Sequence, residues 1–174
     1  MSDELDKQKL QNIKYVAISG HHFDRYYISK TNGKSMWSSD FPPVLRETLM
    51  DKGSLATQIA FGPDDSYFVQ FQDGSMEWCG DIDPKAKSLF NARGVTVLNV
   101  WLGRQGAYFV AYLQQGVHKM SYKRVPKQVM KELSAKGRRV TQVLVDYDSK
   151  ESSNGYGYGY EEDAEALTYF VRYT

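Results

Sequence analysis

The chain repeats itself, and the repeat limits what it can fold into. Tyr26-Tyr27-Ile28, Tyr67-Phe68-Val69 and Tyr108-Phe109-Val110 recur at intervals of 41 residues. Tyr169-Phe170-Val171 follows 61 later, one period plus an insertion of about 20. Other landmarks keep the same order. Pro43, Pro84 and Pro126 are spaced 41 and 42, as are Gly33, Gly74 and Gly116. Gly53, Gly94 and Gly137 are spaced 41 and 43, Gly20, Gly62 and Gly103 are spaced 42 and 41, and Trp37 and Trp78 lie 41 apart. A period near 41 means one supersecondary unit copied about four times, with each copy burying its apolar face on a neighbour.

Each landmark has a local physical reason. A first strand ends at a glycine that opens a loop: Tyr15 to Gly20, Gln58 to Gly62 and Leu98 to Gly103. The second strand carries the Tyr-Phe-Val signature, aromatic and β-branched residues that pack on a pleated face. Asn32-Gly33, Asp73-Gly74 and Gln115-Gly116 then predict type I′ hairpin turns, in which both central residues take positive φ. A third strand follows, as in Ser75 to Trp78. Asp83-Pro84 reads as an N-cap followed by proline at the first helical position. Leu45 and Leu49, then Ala86, Leu89 and Phe90, then Val129, Met130 and Leu133 keep helical spacing. Lys52-Gly53, Arg93-Gly94 and Lys136-Gly137 read as helix ends. Residues 3–11 fit a helix before the first strand, which makes the unit α-β-β-β.

The expected fold is mainly β with short helices, in one domain over 1–174. Its units run approximately 1–40, 41–81, 82–122 and 123–174, with an insertion at 149–165, giving eleven strands and four helices. The last unit stops after its second strand, Leu167 to Thr174. The insertion holds Gly155-Tyr156-Gly157-Tyr158-Gly159-Tyr160 and reads as a mobile low-complexity loop. Two architectures fit: a β-propeller of meander blades, or a curved antiparallel sheet with helices on one side. The order of strand, Tyr-Phe strand, turn, Trp-bearing strand and Pro-started helix across residues 13–137 resembles the blades of hemopexin-type four-bladed propellers. It is also similar to the repeats that follow the kinase domain in plant casein-kinase-like proteins. Both resemblances imply a scaffold that presents surfaces.

Composition narrows the partners. Lys and Arg number 22 and Asp and Glu 21, so the net charge of +1 provides no field for nucleic acid or an anionic membrane. No apolar run of about 18 residues occurs, so membrane insertion is not expected. The acidic start, Ser2 to Asp6, lacks the apolar core of a signal peptide, and Cys79 is the single cysteine. The expectation is therefore a cytoplasmic or otherwise intracellular protein. One cysteine and three histidines at these spacings predict no zinc site, and no glycine loop cradles a phosphate, so no cofactor is expected.

Residues common to all repeats read as scaffold, including Tyr67, Phe68, Val69, Leu49 and Leu133. Departures from the pattern are free for function. The loop Gly20-His21-His22-Phe23-Asp24-Arg25 stands where the other repeats have Gly62 to Ser66 and Gly103 to Ala107. The three loops should share one rim, and His21, His22, Asp24 and Arg25 are ligand-binding candidates there. Trp37 and Trp78 occupy equivalent positions, either packed between sheet and helix or open to stack on sugar rings. Trp101 lies in the apolar run Val95 to Leu102, read as a central strand. Cys79 and His118 lie in corresponding third strands, with no acid or oxyanion donor placed beside them. Lys119, Lys123, Arg124, Lys127, Lys131, Arg138 and Arg139 form the one basic concentration, with Tyr122 inside it.

No catalytic constellation emerges. The leading expectation is a non-enzymatic binding module for a protein partner, using the rim loops or Tyr156, Tyr158 and Tyr160. One alternative is a lectin with a shallow aromatic site in each repeat. Another is an enzyme built on His21, His22 and Asp24. The C-terminal strand, Tyr169 to Thr174, leaves an edge unpaired, and either a homodimer through that strand or ring closure against the first unit is expected to cover it.

Overall fold

The computed structural model describes residues 12–19, 25–53, 55–125, 129–130, 140–146 and 168–173. Among them the fold is mainly β, with two short helices. The first repeat is an antiparallel meander of β1 (Ile13–Ile18), β2 (Tyr26–Lys30) and β3 (Ser35–Trp37). Helix α1 (Pro43–Lys52) leads to the second meander: β4 (Ala56–Phe61), β5 (Tyr67–Phe71) and β6 (Met76–Cys79). Helix α2 (Pro84–Phe90) leads to β7 (Val95–Leu102), β8 (Tyr108–Gln114) and β9 (Val117–Lys123). β10 (Val140–Asp146) pairs antiparallel with β11 (Thr168–Tyr173). The chain divides into two compact bodies, Met1–Gly80 and Asp81–Thr174. The helices expected over 3–11 and after Pro126, and the insertion at 149–165, lie wholly or mainly outside the described residues.

Strand registers show how faithfully the unit is copied. Val16 pairs with Ile28, Ile59 with Val69, Val100 with Val110, and Val143 with Val171. Every first strand carries a β-bulge, at Lys14, Thr57, Leu98 and Thr141. A bulge adds twist and lets a strand bend over its neighbour. The residue after each bulge is Tyr15, Gln58, Asn99 or Gln142, a polar position in all four repeats.

Several local expectations are corrected. The hairpins at Asn32-Gly33 and Asp73-Gly74 are not type I′. Only the glycines take positive φ, 81° and 82°, and each ends a type I turn as a bulge. The side chains of Asn32 and Asp73 stabilise this form by accepting from the N–H of Lys34 (3.1 Å) and Ser75 (2.9 Å). Gln115-Gly116 is the two-residue turn with positive φ at both positions, 53° and 76°. Ser19, not Gly20, corresponds to Gly62 and Gly103. Ser19 N–H donates to the Arg25 carbonyl, Gly62 N–H to that of Ser66, and Gly103 N–H to that of Ala107, all at 2.8 Å. Gly53 caps α1 in the left-handed region at φ 57°. Helix α2, however, stops at Phe90, and Gly94 belongs to the turn that enters β7. Strand β7 is not central, since it lies at one side of its sheet with Thr96 and Leu98 exposed, although Trp101 is buried.

Asp83 caps α2 as the sequence predicts, accepting from Lys85 N–H at 2.8 Å. Its second carboxylate oxygen takes an ion pair from Lys123 of β9 at 2.7 Å. Burial opposes ionisation of Asp83, but Lys123 and the Lys85 N–H outweigh it and hold the carboxyl below its usual range. A depressed carboxyl adds stability above the unfolded carboxylate range and loses it as pH falls. Asp83→Ala is expected to cost about 1–2 kcal/mol in urea unfolding near neutral pH. The deficit should shrink on acidification. An unchanged midpoint would mean that the clasp contributes nothing.

In the first body, one core joins two sheets and a helix. Ala17 and Tyr27 come from the first sheet, and Phe41, Leu45 and Leu49 from α1 and its approach. Ala56, Ile59, Phe61, Tyr67, Val69 and Phe71 come from the second. Tyr67, Phe68, Val69 and Leu49 are buried, as the shared-position rule predicts. Two tyrosines fasten the sheets. The Tyr15 hydroxyl accepts from Ile59 N–H at 2.7 Å and donates to the Ile59 carbonyl at 3.2 Å. The Tyr27 hydroxyl accepts from Ala56 N–H at 3.3 Å.

Candidate functional site

The strand-joining loops carry the binding candidates that the sequence singles out. Asp64 and Asp65 take positive φ, 51° and 57°, and Gln105 and Gly106 do the same at 53° and 70°. Ser66 N–H closes onto the Pro63 carbonyl and Ala107 N–H onto that of Arg104, both at 2.9 Å. The loops after β4 and β7 are thus the same tight turn. Within the first body, Arg25 Nη1 meets Asp65 Oδ1 at 2.7 Å. That ion pair sets the end of the β1–β2 loop beside the β4–β5 loop. His21, His22 and Asp24 lie outside the described residues, as do Tyr156, Tyr158 and Tyr160. Among the described residues no three His, Cys, Asp or Glu side chains gather to hold a metal.

The tryptophans do occupy equivalent positions. Trp37 stands opposite Tyr27, and Trp78 opposite Phe68. Both are half-buried. The Trp37 ring packs on Phe41, with centroids 5.8 Å apart, and covers the edge of the core. The register adds a third member that spacing does not reveal: Tyr122 stands opposite Phe109 and is exposed.

Cys79 is exposed and stands opposite Tyr67. Its counterpart in the third repeat is Lys123, opposite Tyr108. His118 stands opposite Leu113, five residues back along β9, so the two do not share a repeat position. The described members of the basic concentration, Lys119, Lys123 and Arg124, are engaged. Lys123 pairs with Asp83, Lys119 donates to the Gln114 side chain at 2.8 Å, and Arg124 donates to the Gln105 carbonyl.

The feature that stands out is a face. Each sheet has a forward side and a rear side. In the first sheet the forward side bears Tyr15, Ala17 and Tyr27 and packs on the second sheet. The rear side bears Val16, Ile18, Tyr26, Ile28 and Met36, which are cross-strand neighbours by register. Val16 is 38%, Met36 40% and Ile18 45% exposed. Their counterparts in the second sheet, Ile59 and Phe61, are only 6% and 7% exposed. Val100 and Leu102, in the third sheet, are buried as well. Tyr26 and Ile28 are half-buried, whereas Tyr67 and Val69, Tyr108 and Val110 are fully buried.

The first sheet therefore shows solvent the same apolar side that the next two sheets bury. Single exposed apolar residues are ordinary, but a contiguous row of them marks a contact surface. Lys14 and Lys30 border the row at its hairpin end. Within the row itself no residue carries a charge.

Family models, curated proteins and solved structures provide no match to this chain. No helix among the described residues is long and apolar enough to cross a membrane.

Proposed function

We propose that this protein is a non-enzymatic interaction module that binds a protein partner on the rear face of its first sheet. One observation carries the reading: Val16 and Ile18 are exposed while the residues at the same repeat positions, Ile59 and Phe61, form core. Blade-like repeats, whether closed in a ring or stacked in an open row, bury each sheet's rear side under a neighbour. A rear side left in water retains that packing energy for binding. The β1–β2 loop that ends at Arg25 adjoins the same sheet and would border the contact.

A photo-crosslinking amino acid in place of Ile18 tests this. It should form defined protein adducts in cells. The same residue in place of Met50, exposed on α1, should not. No adducts from position 18, or the same adducts from both positions, would sink the reading.

A further inference from the structure

We infer that the partner on the rear face of the first sheet is a second copy of this chain, docked head to tail by the forward side of one of its repeat sheets. The inference rests on the interaction reading above and names its partner.

Where a rear side is covered in the first body, a forward side covers it. In the first body, the rear side of the second sheet (Ile59, Phe61, Tyr67, Val69) packs against Ala17 and Tyr27, on the forward side of the first. The fit includes a polar clasp. Tyr15, just after its bulge, reaches the outer backbone edge of β4 at Ile59, and Tyr27 reaches Ala56 N–H. The surface that matches a rear side is thus a bulged meander of this same repeat, carrying small and aromatic residues and a polar group after the bulge.

The first sheet offers the same acceptor surface. Val16 and Ile18 stand where Ile59 and Phe61 stand, and Tyr26 and Ile28 where Tyr67 and Val69 stand. The β1 backbone at Val16 corresponds to the β4 backbone that Tyr15 clasps. A second copy carries the matching donor backbone. Its β10–β11 sheet has the bulge at Thr141 in the same register, with Gln142 at the position of Tyr15. Self-packing of the rear face would instead set two Val16, Ile18 and Met36 rows together, with no polar side chain at the position after the bulge to meet the strand edge. The repeat offers no precedent for that arrangement.

A head-to-tail contact uses two different surfaces, so it predicts an asymmetry that a face-to-face dimer lacks. Ile18→Arg spoils the acceptor side of a chain but leaves its donor side intact. Sedimentation of the wild type from about 1 to 100 µM should show concentration-dependent association. Ile18→Arg alone should associate about a hundredfold more weakly. Mixed with wild type, Ile18→Arg should still join one end of a wild-type copy and shorten the assemblies. Met36→Arg, on the same face, should behave in the same way. Met50→Arg should associate as wild type does. Matching circular dichroism spectra would show that the variants are folded.

If Ile18→Arg fails to bind wild type although wild type self-associates, the contact is face to face and the head-to-tail inference is overturned. If wild type stays monomeric throughout, the second copy is excluded. In that case adducts from position 18 with another protein would leave the interaction reading standing, and their absence would remove both.

Discussion

Phe41→Ala is expected to cost about 3–5 kcal/mol, enough to leave the first body unfolded or nearly so under conditions where the wild type is stable. Phe41 is buried just before α1. Its ring faces Tyr27 at 6.4 Å and Trp37 at 5.8 Å, and meets Phe61 edge-on at 5.6 Å and 88°. Those three rings belong to β2, β3 and β4. One side chain therefore joins the first sheet, the helix approach and the second sheet. Truncation removes the ring's transfer energy and leaves a cavity between rigid strands that cannot close over it. Phe41→Leu fills most of the space and should lose about 1–2 kcal/mol. Urea unfolding of both variants checks the order, with amide exchange at β1 and β4 reporting the first body. A loss below about 1 kcal/mol for Phe41→Ala would show that the two sheets do not depend on this ring.

The position before each helix also shows how the sequence encodes the packing. Ile82 precedes Asp83-Pro84 as Phe41 precedes Pro42-Pro43, and both are buried. Strand order, hairpins, helix starts and the shared core were legible because each repeats and each has a local cause: an aromatic β-branched strand, a glycine turn, a proline-started helix. Turn type was less legible. Asn-Gly and Asp-Gly permit positive φ at both residues but do not require it, and the side-chain bonds of Asn32 and Asp73 favour the bulged form.

The candidate face escaped for a different reason. Treating shared positions as scaffold and departures as function assumes that every repeat has the same neighbours. Val16, Ile59 and Val100 are nearly the same residue at the same position, yet the first is surface and the others are core. Residue type records the packing that a unit is built for, while a neighbour decides whether that packing is satisfied. A signal was available at the third strand, where Met36 stands against Glu77 and Ser121 at the equivalent places. An apolar residue there, in one repeat alone, breaks the pattern towards stickiness. Tyr122 was missed because β9 runs longer than β3 and β6, and register rather than spacing aligns it with Trp37 and Trp78.

The clasp at Tyr15 should make the first body sensitive to alkali. The phenol is pushed up from 10.0 to about 12, first by burial and secondarily by Tyr27, while the Ile59 backbone contact opposes the rise. Burial raises the Tyr27 and Tyr67 hydroxyls too. In the unfolded chain these groups ionise near their ordinary value. A raised folded pKa contributes stability that is complete below the unfolded pKa and is lost as pH climbs to the folded one. For Tyr15 that window runs from 10.0 to about 12. A shift of about 2 units corresponds to at most about 2.7 kcal/mol lost across it. Tyr15→Phe should act at both ends of the scale. Near neutral pH it leaves the Ile59 N–H and carbonyl without the hydroxyl and should cost about 1–3 kcal/mol. Above pH 10 or so it should lose less than the wild type, so the two stability curves converge as pH rises towards about 12. The curve of the variant should not become flat, since Tyr27 and Tyr67 still titrate in the same direction. Urea midpoints collected across this range decide the matter. Curves that stay parallel would mean that the Tyr15 hydroxyl is open to water and that the two sheets are held by the apolar core alone.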